Sequence, residues 1–148
     1  NSLVSILFRS IREERGLAYS AYSYFSPKSN GGSLVAALQT DRGNQEEALS
    51  VLDSSLEKLR LEGFSDRDIA SAKDNLMRGF PLRVDTNAEI LNYLAMIGFY
   101  RLPIDYLETF AENVGRVTRA EASKVFKRYF SPEKLVTVIV GPNLDGDE

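Results

Sequence analysis

The sequence predicts an α+β fold, a mostly antiparallel sheet with helices packed on one of its faces. Three observations carry that expectation. Residues 17–40 hold two alternating, strand-like stretches around a turn, residues 44–130 switch to helical spacing, and residues 135–140 form an unbroken apolar run. Strands grouped near one end and helices in a block are the pattern of a sheet backed by helices.

The opening helix is expected from Leu3, Val4, Leu7, Phe8 and Ile11, a stripe that gathers apolar side chains on one face. Ser2 is placed to cap it, and Gly16 to end it in the left-handed conformation. Leu17 to Phe25, where tyrosines alternate with serine and alanine, reads as a first strand, and Ser33 to Thr40 as a second. Between them Ser26-Pro27-Lys28-Ser29-Asn30-Gly31-Gly32 is rich in turn formers, so the two strands make a hairpin with a long loop.

Five helices follow. Asn44 is the expected cap of one carrying Ala48, Val51, Leu52, Leu56 and Leu59 and stopping near Gly63. Ser65 caps the next, with Phe64 and Ile69 at the two positions of a hydrophobic staple, and Pro81 ends it after Phe80. Thr86 and Glu89 form a capping box for a helix through Leu91, Leu94, Ile97 and Gly98. Pro103 opens a shorter helix ending near Gly115. Thr118 and Glu121 form a second box, starting a helix through Val125, Phe126 and Phe130. Leu135 to Val140, apolar and mostly β-branched, reads as a buried third strand closed by Gly141-Pro142.

Three strands are few for so many helices, so further strands are expected from outside these residues. The chain has no initiating methionine and enters the opening helix directly after Asn1-Ser2. It is therefore read as a fragment truncated at its N-terminus, with one domain over residues 1–142 and a disordered acidic tail over residues 143–148.

Composition excludes more than it selects. The net charge is −3 and no basic stripe is present, which argues against a nucleic-acid partner. No apolar run approaches the roughly 20 residues of a membrane span. There is no histidine and no cysteine. That removes imidazole–zinc sites, thiolate ligands, Ser-His and Cys-His catalysis, and disulfides.

Carboxylate neighbours such as Glu13/Glu14 and Asp66/Asp68 are expected by chance among 21 acidic residues. Asp66 and Asp68, in the first turn of a helix, read as partners of its dipole. Asp145-Gly146-Asp147-Glu148 lacks the remainder of a calcium loop. Asn30-Gly31-Gly32 precedes a strand rather than a helix, so it reads as a turn and not a phosphate cradle.

One constellation stands out: Arg12-Glu13-Glu14-Arg15-Gly16-Leu17-Ala18-Tyr19-Ser20. Arg12 falls on the last turn of the opening helix and Tyr19 near the start of the first strand. A helix that folds back into a strand there carries a guanidinium and a phenol to one rim, and both are hydrogen-bond donors at neutral pH. Such donors suit a peptide carbonyl, and suit better the oxyanion that forms when it is attacked. By residue chemistry alone, a solvated helix-end cation and a packed strand aromatic are the favoured reading of the two.

The segment from Leu7 to Tyr22, with its R-x-x-x-G-L-x-Y core, resembles the C-terminal domain of the pitrilysin (insulinase-like) zinc metallopeptidases, a family that includes relatives of the mitochondrial processing peptidase. Phe80-Pro81-Leu82-Arg83, Asn92 to Tyr100 and Leu102-Pro103-Ile104-Asp105-Tyr106 are similar to bacterial members. The resemblance implies a metallohydrolase-like sandwich. It also implies that Arg12 and Tyr19 contact the substrate backbone, and that the domain itself is non-catalytic. The family's inverted H-x-x-E-H zinc motif has no counterpart here. Zinc is thus expected in a partner domain or subunit, with a peptide or unfolded protein as substrate and no cofactor or catalytic residue in this chain. A proteolytically inactive scaffold of the same fold is the alternative. The bacterial likeness suggests the cell envelope or periplasm, with the cytoplasm also open.

Overall fold

A computed structural model describes residues 6–141. It opens on a helical segment with π geometry over Phe8–Glu13, in which the Glu14 N–H reaches back five residues to the Arg9 carbonyl at 2.9 Å. Strands β1 (Ser20–Pro27) and β2 (Gly32–Gln39) follow as an antiparallel hairpin. Then come helices α1 (Gln45–Glu62), α2 (Asp66–Gly79), α3 (Asn87–Tyr100), α4 (Tyr106–Arg116) and α5 (Arg119–Tyr129). The expected α+β class and the five helices after the hairpin are what the structure has, in mostly helical proportion with a small sheet.

The hairpin register decides which side chains share a face. Ala21 pairs with Leu38, Ser23 with Ala36 and Phe25 with Leu34, whereas Tyr22 pairs with Ala37 and Tyr24 with Val35. Since side chains alternate along a strand, the first set lies on one face and the second on the other. Ala36 and Leu38 pack on the main core, so the first face is the covered one. Tyr22 and Tyr24 stack on the open face, ring centroids 6.4 Å apart.

Leu7 and Ile11 from the opening helix, Leu17 and Ala18 from the connection, Ala48, Leu56 and Leu59 of α1, and Phe64 and Phe130 form that core. The periodic apolar positions of α1 supply one wall of it, as helical spacing requires. A smaller cluster joins α2, α3 and α4, where Phe80 stacks on Phe110 at 4.1 Å and meets Tyr93 edge-on. The Tyr100 hydroxyl donates to the Pro27 carbonyl at 3.1 Å, tying α3 to the tip of the hairpin.

The helix starts follow the capping chemistry closely. Thr86/Glu89 and Thr118/Glu121 form complete boxes, and Ser65 forms a third with Asp68. Phe64 is buried and Ile69 packs against the same cluster, as a staple requires.

Several expectations need correction. Leu135–Val140 is neither strand nor helix, because no neighbouring strand among the described residues offers it a ladder. The first strand begins at Ser20 instead of Leu17, since residues 17–18 are drawn into the core and Tyr19 lies in a bend. Asn44 makes no side-chain cap, because it closes a short 3-10 turn over Arg42–Asn44 that leads into α1. Helix α4 starts at Tyr106, three residues past Pro103, whose carbonyl accepts from the Tyr106 N–H. The expected Ser2 cap, Leu3 and Val4, Pro142 and the acidic tail over 143–148 lie outside the described residues.

Two glycines end helices in left-handed backbone, for different stakes. Gly63 has φ 77° and ψ −175°, a region open almost only to glycine. A Cβ there would lie 2.6 Å from the Ser123 hydroxyl oxygen, which accepts from the Phe64 N–H at 3.0 Å. Gly16, at φ 63°, has nothing within 4 Å of an added Cβ. Gly16→Ala is expected to lose about 1–2 kcal/mol, the cost of left-handed backbone alone. Gly63→Ala should lose clearly more, because it also displaces α5 from the end of α1. Urea midpoints of the two variants give the order directly, and the reverse order would contradict this packing.

Candidate functional site

The connection from the opening helix to β1 is a strapped turn. Gly16, in the left-handed conformation, lets the chain reverse, and its N–H donates to the Arg12 carbonyl at 3.0 Å. The Leu17 N–H donates to the Ile11 carbonyl at 2.9 Å. Carbonyls that a helix end leaves open are thereby satisfied. From the other side, Thr40 donates through its hydroxyl to the Leu17 carbonyl, and the Tyr19 N–H donates to the Gln39 carbonyl at 2.9 Å. Backbone from Ile11 to Tyr19 is thus held by the helix on one flank and by the end of β2 on the other.

Both sequence-predicted residues sit on this strap, and both are exposed. Arg12 lays its guanidinium over the Phe8 ring, 4.8 Å from the centroid, a cation–π contact that presents the fork without consuming its donors. Tyr19 is 66% exposed. Among the described residues, neither the Arg12 guanidinium nor the Tyr19 hydroxyl has a hydrogen-bonding partner. The two neighbouring arginines are occupied. Arg15 donates to the Ser10 carbonyl at 2.8 Å and meets Glu14 at 3.4 Å, and Arg9 meets Asp68 at 3.6 Å.

Sequence reasoning missed two supports. Phe8 belongs to the apolar stripe by its spacing, yet it is only half-buried and serves as the platform for Arg12. Its i, i+4 spacing from Arg12 was the available signal. Thr40 was read as the end of a strand, and nothing local shows that its hydroxyl would reach Leu17, 23 residues earlier.

Among the described residues, the paired carboxylates Asp66 and Asp68 are engaged in caps and ion pairs. Asp68 completes a cap and pairs with Arg9, and Asp66 meets Arg119 at 3.5 Å, so both act at the helix start as expected. Hydrogen bonding holds three carboxyls below the ordinary range: Arg60 on Glu57, Thr118 on Glu121 and Ser131 on Glu133. A general acid needs the opposite shift. Zinc fares no better. Among the described residues no three acidic side chains gather as ligands, and the sequence offers no histidine or cysteine to join them. No helix among these residues is long and apolar enough to cross a membrane.

Known proteins carry the same fold. The backbone matches a solved peptidase M16 inactive domain from Pseudomonas fluorescens with a TM-score of 0.77 at 28% identity, over 85% of this chain and 30% of that one. It matches the periplasmic protease PqqL from Escherichia coli with a TM-score of 0.71 at 18% identity, over 86% of this chain and 14% of that one, a likeness of fold. In sequence it is 28% identical over 90 residues to an uncharacterized zinc protease, YmxG, of Bacillus subtilis, covering 60% of this chain. It is 26% identical over 138 residues to the non-peptidase homolog YmxG of Helicobacter pylori, covering 92%. The chain spans 22% and 32% of the lengths of those two relatives. A family model described as the peptidase M16 inactive domain matches residues 1–76, just over half of the sequence, and the chain belongs to that family.

Proposed function

We propose that this chain is the substrate-holding, non-catalytic part of a zinc-dependent peptidase, gripping an extended peptide while a zinc-bearing domain outside residues 1–148 carries out hydrolysis. The observation that carries the reading is the pair of exposed donors, unpartnered among the described residues, on a backbone strapped from both sides. A backbone held this way loses little freedom on binding, so less of the hydrogen-bond energy is spent on ordering the segment. The guanidinium and the phenol each donate to a peptide carbonyl, and each strengthens as that oxygen gains charge. The stacked Tyr22 and Tyr24, with Val35 and Ala37 on the same face, offer a flat apolar surface for a peptide's side chains.

The test is a footprint. Isotope-labelled chain, assembled with its zinc-bearing partner, is titrated with an extended peptide that cannot be cleaved. The Arg12 Nε and Tyr19 ring signals should shift, and those of Glu112 and Arg116 on α4 should stay. Signals of Arg12 and Tyr19 that do not move at saturation end this reading.

A second reading has one observation in its favour: the Helicobacter relative, aligned over 92% of this chain, bears the name of a non-peptidase homolog. In that case the domain is a scaffold whose Arg–Tyr pair binds nothing, and the same titration moves neither signal.

A further inference from the structure

We propose that Phe8 is a positioning residue of the substrate site: its ring holds the Arg12 guanidinium ready for a peptide carbonyl, a role that rests on the peptide-holding reading given above. Two i, i+4 pairs lie side by side on the opening helix. Leu7 and Ile11 are 1% and 0% exposed and sit in the core, so they fix how the helix is turned about its own axis. Phe8 and Arg12, one residue further on, are carried to the edge of that core, Phe8 half-buried and Arg12 exposed. Arg12 therefore reaches the ring from an anchored backbone, its guanidinium carbon 4.8 Å from the ring centroid.

The neighbouring arginines are held in a different way. Arg9, three residues before, meets Asp68 at 3.6 Å. Arg15, three residues after, meets Glu14 at 3.4 Å and donates to the Ser10 carbonyl at 2.8 Å. Carboxylates and carbonyls hold a guanidinium by taking up its N–H groups, and a carboxylate also offsets its charge. An aromatic face attracts the cation through the ring quadrupole instead, and leaves the charge in place. Among the described residues no acceptor meets the Arg12 guanidinium, so charge and donors remain for an incoming oxygen.

What the ring removes is freedom. A long, exposed arginine has many rotamers to give up when it binds, and one that already rests on an aromatic face has fewer. Phe8 has no polar group to offer a carbonyl, so any effect it has on a peptide's backbone runs through Arg12. Its aromatic character then matters, and not only its bulk.

The test uses the natural full-length polypeptide with its zinc-bearing domain, and an extended peptide that cannot be cleaved. In the unaltered, unbound protein the Arg12 side chain should give nuclear Overhauser contacts to the Phe8 ring; their absence overturns the proposal without any variant. Phe8→Leu keeps apolar bulk and loses the quadrupole, and should weaken peptide binding about two- to fivefold, the worth of an exposed cation–π contact. Phe8→Tyr keeps the ring and should bind as the unaltered protein does. In an Arg12→Ala background, Phe8→Leu should change the affinity no further. An equal loss in that background makes Phe8 a packing residue and overturns the positioning role, as does a tyrosine variant that binds no better than the leucine one. If Arg12→Ala weakens binding and Phe8→Leu does not, the positioning role fails while the peptide-holding reading stands. If Arg12→Ala leaves the affinity unaltered, that reading fails and the role of Phe8 falls with it.

Discussion

Ile11→Ala is expected to lower the unfolding free energy by about 2–5 kcal/mol, the usual range for emptying a fully buried aliphatic site. Ile11 has no exposed surface and lies in the cluster that joins the opening helix to α1 and Phe130. Its neighbours come from separate elements, so a cavity there is poorly refilled by the collapse of any one of them. At this size each kcal/mol moves the melting temperature by roughly 2–4 °C. Urea denaturation of the variant, with Ile11→Val as a control expected to lose about 0.5–1.5 kcal/mol, measures the effect. A loss for Ile11→Ala no larger than that of the valine variant would show that the opening helix is not anchored by this side chain. The strap would then lack its footing, because the Ile11 carbonyl is what holds the Leu17 N–H.

What was legible in the sequence, and what was not, divides by range. The boxes at Thr86/Glu89 and Thr118/Glu121 need only four consecutive residues, and both appear with their reciprocal bonds. Gly16 and Gly63 are placed as helix ends by the same local logic, and both carry positive φ. The third strand failed because strand propensity belongs to a segment, whereas a ladder belongs to a pair. Leu135–Val140 has the first and, among the described residues, lacks the second. The π geometry over Phe8–Glu13 also escaped, since α and π turns draw on the same residues. The Glu14-to-Arg9 bond, which spans five residues, separates them here. At the candidate site, residue chemistry alone favours a solvated cation and a packed aromatic for Arg12 and Tyr19, and it is the family resemblance that singles them out. The bend at Tyr19 arises from residues 17–18 entering the core and from Gln39 accepting the Tyr19 N–H, neither of which a local pattern records.

On the proposed function, Arg12→Ala and Tyr19→Phe, each made in the full-length protein together with its zinc-bearing domain, are expected to reduce kcat/KM for peptide hydrolysis by about 10²–10³, the loss typical of one donor to a developing oxyanion. Zinc content should remain that of the unaltered protein, because neither residue is a ligand. Stability should remain as well, since both side chains are exposed and Arg12 gives up only its contact with Phe8. The partition of the effect is informative. Donors that bind ground state and transition state alike raise KM when removed, whereas donors engaged chiefly with the oxyanion lower kcat. Arg12→Lys keeps the charge and loses the planar fork, so it should recover little if the carbonyl is met by two N–H groups and much if charge alone matters. The double variant then decides whether the residues act together. Two donors on one oxygen give a combined loss well short of the product of the single losses, and donors on separate carbonyls multiply. Unchanged turnover in both single variants, with zinc in place, would leave the strap a structural turn and favour the scaffold reading.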